Sequence, residues 1–184
     1  VVTRPSVHKV WKTIEKWTVP HFRAGYTVSP AIAEILNKTY QTNFTVVRNI
    51  ARYKEIPEDL KQEKIIIYQG AVNEGRSFET LIPAMQWVNA PLHIYGDGNF
   101  LTQAQKLIRE NQLDEKIILK GKVIPEKLHE ITSKCWIGLT LFENTGLSNY
   151  YSLANRFFDY IQAGLPQLCV NYPSYRIIND QYDC

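Results

Sequence analysis

Two stretches of the chain carry charged side chains at spacings a fold can use. In residues 68–77, Gly70, Gly75 and Arg76 fall between a strand-like run and a helical one. Arg76 would stand at a helix start, where the dipole disfavours a cation by about 0.3–1 kcal/mol unless an anion is nearby. A phosphate-bearing ligand reverses that sign, and the glycines let backbone approach it closely. The second stretch is residues 155–166. Residues three apart share a helix face, so Arg156 and Asp159 point the same way, while Phe157, Phe158 and Ile161 are expected to face a core. Gly164 ends this helix and Pro166 prevents its continuation. The preceding loop, residues 143–152, opens into the helix, whose free N–H groups at Ser152, Leu153 and Ala154 would receive an anion. Arg156 has two readings: a phosphate partner, or an i,i+3 ion pair with Asp159 worth ~0.2–0.5 kcal/mol.

These groups need a scaffold, and the spacing of apolar runs predicts one. From Lys64 onward, strand-like segments at 64–69, 92–95, 116–120, 136–142 and 167–171 alternate with helical ones at 78–87, 100–111, 125–133 and 152–163. That alternation predicts an α/β fold with a doubly wound parallel sheet. Ligands of such sheets bind at the carboxyl ends of the strands, where the 68–77 loop would lie. Gly96-Asp97-Gly98 follows the second strand and reads as a tight turn, fold evidence rather than a site. A partial α/β segment precedes the sheet: a helix at 11–17, a strand at 25–28, a helix at 30–38 capped by Ser29 with Pro30 in its first turn, and a strand at 44–47. The expected organisation is a partial first domain over residues 1–49, a linker over 50–63 that contains Pro57, and a second domain over 64–184. No internal repeat is present.

Composition narrows the function classes. Of 184 residues, 45% are hydrophobic and 12% aromatic, which excludes disorder. The net charge of +3 comes from interspersed charges, which argues against a nucleic-acid partner. Cys135, Cys169 and Cys184 lack metal or disulfide spacing, so a reducing, cytoplasmic setting is expected. The four histidines are scattered, and no metal site is expected. No nucleophile-elbow, zinc-protease or P-loop pattern occurs.

The order of these motifs resembles the GT-B fold retaining glycosyltransferases, chiefly their nucleotide-sugar-binding domain. The resemblance implies transfer of a sugar from a nucleoside diphosphate sugar to a glycan or lipid-linked acceptor in bacterial surface polysaccharide synthesis, with no cofactor and no metal. It implies a catalytic Arg76 that neutralises the leaving diphosphate. Gly70, Gly75, Ser152, Leu153 and Arg156 would line the donor's phosphates, and Asn155 would belong to the donor-binding set. In the family, an acid five residues before the glycine holds the ribose hydroxyls; here that acid is Asp159, an acceptor-only carboxylate suited to a diol. Lys122, Val123 and Ile124 would meet the nucleobase through main chain and aliphatic surface. The best-known family pattern has two glutamates eight residues apart, but Tyr151 occupies the first position and aspartate the second. A branch with asparagine, a basic residue, and an acid before tyrosine fits Asn155, Arg156, Asp159 and Tyr160 better. The identity of the transferred sugar is therefore not carried over. Two alternatives stand beside this reading: a nucleotide-sugar epimerase of the same fold, and a non-catalytic nucleotide-sugar-binding module. The chain, with Val1 first and Cys184 last, reads as a fragment expected to be inactive alone. Peripheral contact with the inner face of the membrane is expected through the missing part of the first domain, and weak self-association through its uncovered apolar faces.

Overall fold

The run Ile66-Ile67-Tyr68-Gln69 is buried along its whole length, as a strand covered by helices on both faces must be. The computed structural model describes residues 4–22, 24–50, 53, 55–56 and 61–183. Pro57 and Cys184 lie outside the described residues. The chain divides into two units, residues 1–49 and 50–184.

The first unit contains α1 (Pro5–Thr18), β1 (Gly25–Thr27), α2 (Pro30–Tyr40) and β2 (Phe44–Val46). β1 and β2 pair in parallel, with Gly25 opposite Phe44. Gly25 is required there because any Cβ would stand 2.2 Å from the Phe44 ring. The Asn37 side chain bonds both backbone groups of Phe44, at 2.6 and 3.1 Å, and ties the end of α2 to β2.

The second unit is built on a five-stranded parallel sheet: β3 (Ile66–Gln69), β4 (Leu92–Tyr95), β5 (Ile117–Gly121), β6 (Ile137–Thr140) and β7 (Gln167–Cys169). Its spatial order is β5-β4-β3-β6-β7. Around it stand α3 (Phe78–Ala84), α4 (Leu101–Glu110), α5 (Pro125–Ser133), α6 (Leu147–Tyr150), α7 (Asn155–Gln162) and α8 (Pro173–Tyr182). Successive residues of a strand face opposite sides, so β3 feeds two cores. Ile66 and Tyr68 pack with Phe78, Ile82, Met85, Phe100, Ala104 and Ile108 of the α3–α4 layer. Ile67 packs on the other side with Tyr160, Ala163, Leu128 and Ile131 of the α5–α7 layer. The doubly wound parallel sheet is thus present, and strand order reverses between β3 and β6. The crevice outside the carboxyl ends of those two strands is where such sheets place ligands.

Three local expectations change. The helix expected over 78–87 is α3, with Pro83 inside it, followed by a 3-10 turn at Met85–Trp87. The helix expected from Ser152 starts only at Asn155, preceded by the separate single turn of α6. The Tyr175 hydroxyl takes the Ala154 N–H at 3.0 Å, and Ala154 is extended at φ −77°, ψ 140°. Ile161 does not face the core: it is 41% exposed, while Arg156 and Tyr160, four residues apart, turn inward with Phe157. The predicted stop is seen: Gly164 adopts φ +62°, and Leu165 N–H returns to the Tyr160 carbonyl at 2.9 Å.

Candidate functional site

The loop after β3 forms the floor of the crevice and is held in place by the loop after β4. Val72 N–H donates to the Asp97 carbonyl at 3.0 Å, and Phe100 N–H returns to the Val72 carbonyl at 2.9 Å. Asn73 and Asn99 each accept from the other loop's backbone, Asn99 N–H at 3.0 Å and Glu74 N–H at 3.2 Å. Gly96 and Gly98 are therefore packing glycines: a Cβ on Gly98 would stand 2.3 Å from the Val72 carbonyl oxygen. Asp97 pairs with Lys122 at 3.1 Å, so the Lys122 side chain is engaged at the surface. Of its neighbours, Val123 packs partly into the α5–α7 core and Ile124 is exposed.

Across the crevice, the segment after β6 supplies the opposite wall. Glu143 N–H donates to the Gly75 carbonyl at 3.0 Å, and a Cβ on Gly75 would press on the Asn149 amide at 2.9 Å. Gly75 at φ +75° and Ser77 at φ +61° turn the chain sharply on either side of Arg76. The Arg76 guanidinium lies 4.3 Å from the Phe142 ring centre, within cation–π range, and one of its nitrogens donates to the Asn149 side chain at 3.3 Å. Its Nε is buried without a hydrogen-bond partner.

Arg156 reaches the same place from α7. It is only 8% exposed, lies 4.3 Å from the Tyr68 ring centre and 5.1 Å from that of Phe142, and donates to the Gln69 carbonyl at 3.0 Å. Gly70 lies beside it in the left-handed backbone region, at φ +121°, which is what calls for glycine there; a Cβ would make only ordinary contact, 3.6 Å from the Arg156 Nη1. Two arginines thus converge on one aromatic ring, and among the described residues neither pairs with a carboxylate. Burial, and then the charge of Arg156, pull the Arg76 pKa down from its ordinary value. An arginine keeps its proton even so, and such a pair is relieved by a bound anion.

Asp159 stands one helical turn from Arg156, but the two side chains do not form the ion pair weighed from the sequence. Its Oδ2 accepts from the Gln69 side-chain amide at 3.0 Å. Burial raises its pKa, opposed by the Gln69 hydrogen bond and by the charges of His129 and Arg156. The anion-receiving role expected at the helix N-terminus is narrowed. The Ala154 N–H is taken by Tyr175, and the Leu153 side chain is buried with Phe142, Phe157, Tyr175 and Ile178. The Ser152 hydroxyl and N–H both donate to the Asn149 carbonyl, at 2.7 and 3.2 Å, and Asn155 is exposed at the first helical position.

Sequence reasoning missed Gln69, Phe142 and Asn149 as parts of the site. Gln69 alone left a signal, a polar residue closing an apolar strand. A groove of about 760 Å³ beside β7, lined by Ile161, Leu168, Cys169, Tyr175, Arg176 and Asn179 among others, includes none of the converging charged residues.

A five-stranded sheet in this order, with a polar crevice at its reversal point, has solved counterparts. A variant of Staphylococcus aureus TarM, in a complex that includes UDP, superposes with a TM-score of 0.68 at 17% identity, over 89% of this chain and 33% of that one. Anabaena HepE with UDP-glucose superposes at 0.76 and 11% identity, over 97% and 53%. The chain has the fold of part of a GT-B glycosyltransferase. In sequence, it is 27% identical over 121 residues to the poly(ribitol-phosphate) α-N-acetylglucosaminyltransferase of Staphylococcus aureus (strain COL), covering 62% of this chain and 24% of that protein. The chain therefore spans about a quarter of that relative's length and between a third and about half of the two structures. No family model matches the sequence. Among the described residues, no helix is long and apolar enough to cross a membrane.

Proposed function

We propose that this chain carries the donor half of a glycosyltransferase that uses a uridine diphosphate sugar. The observation that carries the reading is the convergence of Arg76 and Arg156 on Phe142, with no carboxylate partner among the described residues and with Asp159 one turn along α7. The similar structures named for UDP and UDP-glucose support the choice of nucleotide. In this reading the diphosphate lies against the two guanidiniums, the ribose diol bonds Asp159, and the base meets the main chain of residues 122–124. Charge that develops on the departing diphosphate is stabilised by Arg76, fixed beforehand by Phe142 and Asn149, so catalysis is electrostatic and calls for no metal. Retention of configuration, a glycan or lipid-linked acceptor, and a place in bacterial surface polysaccharide synthesis belong to the same proposal. So does the need for the rest of the longer protein in transfer.

The test is a melting-temperature panel of uridine, guanosine, adenosine and thymidine diphosphates with the 184-residue chain. Uridine diphosphate at 100 times its dissociation constant is expected to add about 2.7 kcal/mol of stability. No shift from any of the four at millimolar concentration overturns the proposal.

Asp159→Asn separates the ribose contact from folding. An acid whose folded pKa is raised contributes stability that is fully present below the unfolded value, near 3.8, and lost as pH rises through the folded value. At neutral pH the ionised side chain therefore costs stability, and asparagine can still accept from Gln69. The variant is expected to melt at or above wild type at pH 7, with the difference closing as pH falls toward 3.8. It is expected to bind uridine diphosphate about tenfold more weakly while binding inorganic diphosphate equally well. A lower melting temperature with equal losses for both ligands would assign Asp159 to folding instead.

A further inference from the structure

Gln69 closes β3 at 3% exposure, and each of its four polar groups is engaged. Its N–H donates to the Tyr160 hydroxyl at 3.2 Å, and its carbonyl accepts from Arg156 at 3.0 Å. Its side-chain Nε2 donates to Asp159 at 3.0 Å, and its Oε1 accepts from the Thr132 hydroxyl of α5 at 2.6 Å. A neighbouring strand position facing the same helices, Ile67, is filled by an aliphatic side chain. A buried amide is costly unless fully bonded, so packing alone gives no reason for one here.

Arg156 and Asp159 have the i,i+3 spacing at which opposite charges on a helix pair with each other. Instead, each is bonded to a neutral group of the same residue, the cation to its carbonyl and the anion to its amide N–H. We infer that Gln69 is a positioning residue that keeps this cation and this anion apart, so that Arg156 stays directed to the diphosphate and Asp159 to the ribose. The inference rests on the donor-site reading above. Asp159 sets the amide the right way round, because its carboxylate only accepts and so takes Nε2–H, and the Thr132 hydroxyl meets Oε1. The same hydroxyl lies 2.8 Å from the Leu128 carbonyl, so its proton has two acceptors in reach.

Gln69→Glu tests the role through pH. At neutral pH, two carboxylates meet where an amide met one, and repulsion displaces Asp159. As pH falls, a proton shared by the pair lets Glu donate as the amide did. His129 of α5 and Arg156 of α7 also act on Asp159, and both are common to the two proteins. The ratio of variant to wild-type affinity for uridine diphosphate is therefore expected to rise about tenfold from pH 8 to pH 5. The same ratio for inorganic diphosphate is expected to stay within about twofold of its pH 8 value. A flat ratio for uridine diphosphate overturns the inference. Thr132→Val leaves Gln69 in place and covers the case in which the glutamate variant does not fold. It is expected to weaken uridine diphosphate about threefold, with Thr132→Ser restoring it; unchanged affinity in Thr132→Val overturns the inference equally. If wild type binds no uridine diphosphate, the donor-site reading fails first. If wild type binds and the variants match it, only the positioning role fails.

Discussion

Arg76→Ala is expected to weaken uridine diphosphate binding about a hundredfold and to flatten its salt dependence. The Arg76 guanidinium is half-buried against Phe142 and held by Asn149. It is thus fixed before ligand arrives, and no side-chain ordering is left to offset a charge-assisted contact worth roughly 1.5–3 kcal/mol. Loss of the Phe142 stacking contact and of a charge repelling Arg156 act in opposite directions on the free protein, so its melting temperature should move little. Titration calorimetry at two salt concentrations measures both effects. Equal affinities for wild type and variant would remove Arg76 from the site.

Gly96→Ala is expected to lower the melting temperature by about 6–12 °C. A Cβ at this position would stand 1.8 Å from the backbone oxygen of Gly70, and the backbone is at φ +153°. Neither strand end can retreat, because Gly70 N–H is bonded to the Tyr95 carbonyl and Gly96 N–H to the Gly121 carbonyl, both at 2.9 Å. Forcing such a methyl group into packed backbone costs about 3 kcal/mol, the upper part of the overpacking range. Gly146→Ala is the control, since a Cβ there meets nothing within 4 Å. Equal melting temperatures for the two variants would show that the loops after β3 and β4 are not locked together.

The sheet was legible because its strands are short apolar runs between helical segments. Leu92–Tyr95 and the helix Pro125–Ser133 fall where their local patterns place them. What escaped local pattern depends on partners far along the chain. The start of α7 is set by the hydroxyl of Tyr175, twenty-one residues later, which no capping signal near Ser152 can report. Periodicity turns a charged residue outward, yet Arg156 is buried because Tyr68 and the Gln69 carbonyl, more than eighty residues earlier, receive it. Ile161 is exposed for the complementary reason, since the inward positions of α7 go to Arg156, Phe157 and Tyr160. Arg76, Arg156 and Asp159 were each legible as candidates from residue type and position. Their arrangement around Phe142 and Gln69 was not, because it arises only when β3, β6 and α7 are brought side by side.

The most direct measurement is a crystal structure of this chain with uridine diphosphate. The expected complex has the diphosphate in hydrogen-bond reach of Arg76 and Arg156, the ribose diol on Asp159, and the base against the main chain of residues 122–124. A nucleotide seated in the groove beside β7, or one whose diphosphate touches neither arginine, would contradict the assignment of the crevice between β3 and β6 as the donor site.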